Sequence, residues 1–170
     1  MEEYWDIYDK NRVLQNRTIR RGEPFAEGEY YVCCEVWLVN SNGEMLITQR
    51  HHNKKAGGLW EFVGGGVFAG ETTSQAAVRE VKEEIGVTLT ENELSLLSVY
   101  KHRNYFMDIF LVRKDVEIKS IVLNESETVN AKWISKEELQ VMIEGQKVVR
   151  SVAQRFALLS DKLCFGITNL

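Results

Sequence analysis

Apolar residues are spaced along the chain in two different rhythms. The first strong runs, 30–40 (YYVCCEVWLVN) and 43–50 (GEMLITQR), are rich in β-branched and aromatic residues and are joined by Ser41-Asn42-Gly43, a turn signal. They predict a hairpin with at least one buried strand. From 72 to 86 the rhythm becomes helical: Ala77, Val78, Val81 and Ile85 form one stripe. Thr72 and Gln75 have capping-box spacing, and Gly86 stands where a left-handed C-cap belongs. Strand-like runs resume at 94–102, 105–114 and 128–135. A second helix is predicted to start after Ser135, with capping-box spacing to Glu138, and a third over 148–163, apolar at 149, 152, 153, 156 and 159. Strands on both sides of a central helix predict a mixed sheet with helices packed on it, α/β or α+β rather than all-β.

Length and composition narrow the class. A chain of 170 residues, 44% hydrophobic and 27% charged with a single proline, predicts one ordered domain over 1–170. A net charge of −4 gives no long-range attraction for a nucleic-acid polymer or an anionic membrane. Cys33, Cys34 and Cys164 show neither disulfide nor zinc spacing and read as core thiols. No stretch has the pattern of a signal peptide or a membrane span, so the cytoplasm is the expected location.

The chemistry lies in the central helix. At about 100° per residue, Glu80, Glu83 and Glu84 share one arc beside the apolar stripe, with Glu71 just upstream. Like charges at this spacing cost about 0.2–0.5 kcal/mol per pair. One account is a solvated charged face in which Arg79 pairs with Glu83. The other is that a divalent cation relieves the repulsion; carboxylate oxygens suit a hard ion, Mg²⁺ or Mn²⁺.

The spacing Gly65, five residues, Glu71, seven residues, Arg79-Glu80-Val81, one residue, Glu83-Glu84, one residue, Gly86-Val87 resembles the Nudix box at every specified position. Such a match arises by chance in on the order of one window in a billion. The resemblance implies the Nudix fold, a mixed β-sheet sandwiched between α-helices. It also implies Mg²⁺- or Mn²⁺-dependent hydrolysis of a diphosphate bond in a small molecule such as a nucleoside diphosphate linked to another group. On that resemblance Glu80, Glu83 and Glu84 are metal ligands, Glu71 is a further or outer ligand, the Gly65 carbonyl is a backbone ligand, and Arg79 orients the carboxylates. A homodimer is a plausible assembly for the family. The segments GEMLITQR, LWEF and WDIYDKNRVLQNRTIRRGE are similar to the branch related to isopentenyl diphosphate isomerase. Those isomerases carry a catalytic cysteine and a metal-binding histidine where this chain has Gly64 and Gly66. A catalytically silent binding module is the third reading, against which stands the complete set of box glutamates.

Four further groups of candidates have two readings each. Arg50 is a phosphate clamp or a strand-end charge. His51 and His52 lack ligand spacing and read as surface or pocket-edge residues. Glu127, six residues before Trp133, occupies a place similar to an acidic loop residue of the family that binds metal or takes a proton from water; Glu125 could serve instead, and both could be solvated. The general base is thus Glu127 or a box glutamate, Glu83 or Glu84 among them. Trp60, Phe62 and Tyr105 either stack on a base or belong to the core.

Overall fold

A computed structural model describes residues 2–163. Its elements are β1 (Tyr4–Tyr8), β2 (Leu14–Arg20), β3 (Tyr31–Val39), β4 (Met45–Arg50), β5 (Trp60–Glu61), β6 (Val63–Gly66), α1 (Thr73–Ile85), β7 (Ser95–His102), β8 (Tyr105–Arg113), β9 (Thr128–Ile134), α2 (Lys136–Glu144) and α3 (Arg150–Leu159). A seven-stranded mixed sheet runs β5-β4-β3-β8-β7, with β6 also on β3 and β9 also on β4. The central strand β3 is parallel to β8 from Tyr31↔Tyr105 to Val39↔Arg113 and antiparallel to β6 from Cys33↔Gly66 to Val36↔Val63.

Alternation along β3 builds a core on each face of the sheet. Val32, Cys34, Val36 and Leu38 pack with Ala77, Val81 and Ile85 of α1 on one side. Trp37 and Val39 pack with Leu139 of α2 and with Val152 and Phe156 of α3 on the other. A strand covered on both faces reads as a near-continuous apolar run, which is what YVCCEVWLV is, apart from Glu35. The mixed sheet between helices is therefore the observed architecture.

The expected hairpin over 30–50 is corrected in one respect. The turn forms, with Gly43 at φ 82°, but the ladder between β3 and β4 is limited to Val39↔Met45. Beyond that pair the strands diverge, because β6 takes the edge of β3 while β9 and β5 take the two edges of β4. The cleft described below lies along this divergence. Three elements had no counterpart in the sequence reading: the β1–β2 hairpin, β5 and β6.

Both ends of α1 are fixed locally. The Gln75 N–H donates to Thr72 Oγ1 at 3.1 Å, the Thr72 N–H donates to Gln75 Oε1 at 2.9 Å, and Gly86 sits at φ 71°. α2 starts with the same device between Ser135 and Glu138. α3 is shorter than 148–163: the Val149 N–H donates to the Trp60 carbonyl at 2.9 Å, which ties 148–149 to β5, and 160–162 form a 3-10 turn. Cys164 lies outside the described residues. No helix of the described residues is long and apolar enough to cross a membrane.

Phe156 fastens α3 to the sheet: it is buried, with its ring 5.9 Å from that of Trp37. Phe156→Ala should cost about 3–5 kcal/mol, read as a lower midpoint in urea unfolding. An unchanged midpoint would mean that α3 is not part of the cooperative core.

Candidate active site

A cleft of about 620 Å³ opens beside α1, lined by residues of β1, β3, β6, α1, α3 and the loop before β9. Arg79 ties its acidic wall together. Its Nε and Nη2 donate to the two oxygens of Glu71, each at 2.9 Å; Nη1 donates to Glu80 Oε1 at 2.8 Å and Glu83 Oε2 at 3.1 Å; Nη2 also reaches the Gly66 carbonyl at 3.0 Å. The guanidinium lies over the Phe68 ring, 3.8 Å from its centroid. The i,i+4 helical spacing puts Glu83 within its reach, Glu80 is its immediate neighbour in the chain, and Glu71 comes to it from the segment before α1.

Glu84 stands apart from that network. It is 6% exposed, and its Oε2 is buried with no hydrogen-bond partner. Burial pushes its carboxyl pKa well up, and Glu61 and Glu80 push it further. Burial also raises the Glu80 carboxyl, with Arg79 opposing. Glu83 is on the rim, its side chain 53% exposed. A Cβ at position 65 would fall 2.2 Å from Glu80 Oε1, so the close approach of backbone and carboxylate requires glycine there.

This donor set, carboxylates and a backbone carbonyl, fits a hard divalent cation, and the unpartnered Glu84 oxygen is the atom most in need of one. Among the described residues no three His, Cys, Asp or Glu side chains are already gathered as a metal cage. Arg79 stands among Glu71, Glu80 and Glu83, and these would have to turn to share an ion.

The other sequence candidates divide clearly. Arg50 lines the cleft and is paired: it forms an ion pair with Glu61, and its Nε donates to the Lys55 carbonyl at 2.9 Å. Glu127 lines the cleft in an ion pair with Lys54, whereas Glu125 is not in the lining. His51 and His52 are not in the lining either. Phe62 packs on Trp37 in the core and also borders the cleft, Trp60 carries Lys132 over its ring at 4.9 Å, and Tyr105 reaches the cleft beside Tyr31.

One expectation is overturned. Cys34 is a core thiol, but Cys33 is not: the strand alternation places it on the cleft side with Tyr31 and Glu35, half-buried, with its thiol pushed up to about 12 by burial. Lys54, Glu61, Trp5 and the buried ion pair between Glu35 and Arg155 also line the cleft, and no motif in the sequence marks them. For Glu35 there was a signal, a lone acid inside an otherwise apolar strand.

The chain resembles known proteins over most of its length. Residues 32–156 match the NUDIX domain family. The chain is 34% identical over 144 residues to an uncharacterized Nudix hydrolase of Listeria monocytogenes, covering 84% of this chain and 85% of that one. A solved structure from Deinococcus radiodurans superposes with a TM-score of 0.78 at 23% identity, over 92% of this chain and 99% of that one. A bifunctional NMN adenylyltransferase/ADP ribose pyrophosphatase from Francisella tularensis, complexed with AMP and Mn ion, superposes with a TM-score of 0.65 at 20% identity, over 83% of this chain and 43% of that one.

The Glu84 environment carries a pH signature. A carboxyl whose folded pKa lies above its ordinary 4.5 binds more protons folded than unfolded, so its stability contribution is present below about 4.5 and is lost as pH rises through the folded pKa. In chelator, Glu84→Gln should therefore raise the melting temperature at pH 8 by a few degrees, with the gain shrinking toward pH 4. A loss of stability of equal size at every pH would contradict the assignment of Glu84 as a buried, repelled carboxylate.

Proposed function

The chain belongs to the Nudix family, and from that premise we propose that it is a divalent-cation-dependent hydrolase of a phosphoanhydride bond in a small diphosphate compound, nucleoside-linked or similar. The observation that carries this reading is the unpartnered, buried Glu84 oxygen beside two other acids, Glu61 and Glu80. Glu80, Glu83, Glu84 and the Gly65 carbonyl would hold Mg²⁺ or Mn²⁺, with Glu71 as a further or outer ligand. The Francisella tularensis neighbour of like fold was solved with a manganese ion, which supports the choice of metal. When bound, the cation supplies the positive charge that diphosphate oxygens need and lowers the barrier to attack by water at phosphorus.

The chain's own residues do the rest. Arg79 holds Glu71, Glu80 and Glu83 in one arrangement against their mutual repulsion. Arg50 and Lys54 bring two cations to the cleft, where each is matched by one acid, Glu61 and Glu127. A diphosphate entering the cleft competes for both cations. Lys54 then leaves Glu127, whose freed carboxylate can take a proton from the attacking water; a box glutamate, Glu83 or Glu84, is the alternative base.

The isomerase reading loses ground on steric grounds. A Cβ at position 64 would fall 2.2 Å from the Cys34 carbonyl oxygen, and one at position 66 would fall 2.6 Å from Trp5 Nε1. Neither a cysteine nor a histidine can be accommodated at those positions without displacing β3 or the β1–β2 hairpin. The reading of a silent module is disfavoured because Glu80, Glu83 and Glu84 all line the cleft and Glu71 is joined to Glu80 and Glu83 through Arg79.

With a panel of diphosphate compounds and Mg²⁺ or Mn²⁺, solvent ¹⁸O should enter a phosphate-containing product, and excess chelator should stop turnover. Glu84→Gln and Glu80→Gln should each lower turnover by at least about a hundredfold while the protein stays folded. Millimolar Mg²⁺ should raise the wild-type melting temperature. Full activity in chelator, or deuterium entering the carbons of isopentenyl diphosphate with no phosphate released from any compound, would overturn the hydrolase reading.

A further inference from the structure

The β1–β2 hairpin forms a two-stranded sheet of its own, apart from the seven-stranded sheet and outside the Nudix box. It lies against the loop that leads from β6 to α1 and carries Glu71. Every backbone N–H of 67–71 has an acceptor, and the places of those acceptors are informative. The Val67 N–H donates to the Val32 carbonyl at 3.0 Å, the Glu71 N–H to the Phe68 carbonyl at 3.0 Å, and the Phe68 N–H to Glu71 Oε2 at 3.0 Å. The remaining two go to β1: the Ala69 N–H donates to the Tyr4 carbonyl at 2.8 Å and the Gly70 N–H to Asp6 Oδ2 at 2.8 Å.

The turn from Phe68 to Glu71 is thus closed by its own glutamate, and the same Oε2 accepts from Arg79 Nη2 at 2.9 Å. Where the Glu71 carboxylate sits depends on the shape of this turn. Its tip, Ala69 and Gly70, is exposed; Gly70 is left-handed at φ 80°, and a Cβ there would meet nothing within 4 Å. Side-chain packing therefore does not hold the tip, and its two hydrogen bonds to β1 do. The hairpin that receives them is itself tied down. Arg12, between β1 and β2 at φ 64°, donates through both Nη atoms to the buried Asp108 of β8, each at 2.6 Å. Tyr8 and Tyr30 exchange N–H and carbonyl groups at 2.8 Å, and Ile7 and Ile19 are buried.

We propose that the β1–β2 hairpin braces the loop that carries Glu71, and that Asp6 is a positioning residue for the metal site: by accepting the Gly70 N–H it fixes the turn that presents the Glu71 carboxylate to Arg79. The proposal rests on the reading of the acidic wall as a divalent-cation site. The brace requires an acceptor oxygen at that place and not a charge, since a peptide N–H donates to an amide oxygen as well as to a carboxylate. Asparagine can do the work of Asp6, and alanine cannot.

In calorimetric titrations Asp6→Ala should bind Mn²⁺ about tenfold more weakly than the wild type, and Asp6→Asn should come back to within about twofold of it. In chelator, the Gly70 amide of Asp6→Ala should exchange its hydrogen with solvent at least about tenfold faster than in the wild type, again with recovery in Asp6→Asn. Coupling between two sites is reciprocal, so Mg²⁺ should slow exchange at Ala69 and Gly70 in the unaltered protein. Wild-type Mn²⁺ affinity in Asp6→Ala, a deficit that Asp6→Asn shares, or exchange at Gly70 indifferent to Mg²⁺ would overturn the brace while the cation site stands. The wild-type titration separates the two readings: if the wild type binds no Mn²⁺, the cation reading falls and the brace falls with it.

Discussion

One guanidinium makes the acidic wall possible. Arg79 donates to Glu71, Glu80 and Glu83 and to the Gly66 carbonyl, so that three carboxylates and the strand that faces them share a single cation. A lysine could not do this, because a point charge with three donors cannot serve so many acceptors in one fork. Beyond its reach, Glu84 is left buried with an unpartnered oxygen. The wall thus has a neutralised part that holds its shape and an unneutralised part that calls for a second positive charge. Everything proposed about catalysis follows from that asymmetry.

The scaffold is arranged so that this wall meets open space. β3 touches β4 at one residue pair and then leaves it, and the glycines of β6 bring its backbone close to β3, to Glu80 and to Trp5 where any side chain would collide. The cleft is consequently bordered by chemically different surfaces. Glutamates come from α1, the paired cations Arg50 and Lys54 from the end of β4 and the loop after it, and the aromatic side with Arg155 from β1, β3, β8 and α3. Charge falls off from the acidic wall of α1 to the side where Arg155 is neutralised by Glu35.

How much of this was legible in the sequence depended on how local each signal is. α1 could be bounded at both ends because Thr72, Gln75 and Gly86 act within a turn of the residues they cap, and its glutamates have a spacing that carries its own meaning. β3 and β8 were legible from their β-branched and aromatic content. β6 was not, since Val63-Gly64-Gly65-Gly66 has little β-propensity and is held in the sheet by β3. β2 is exposed at every position but Ile19 and so offers no apolar rhythm. The pair Glu35 and Arg155 lies 120 residues apart in sequence, a contact that no window along the chain contains. Val148 and Val149 read as the first turn of a helix but are drawn to Trp60, a tertiary bond that overrides local propensity.

The central claim is that Glu84 and its neighbours hold a divalent cation, and direct titration with Mn²⁺ followed by electron paramagnetic resonance tests it without reference to any substrate. The wild type should suppress the six-line signal of the free ion at near-stoichiometric protein, and Glu84→Gln should need about 10–100-fold more protein to do the same. Equal suppression by the two proteins, or none by either, would contradict the account.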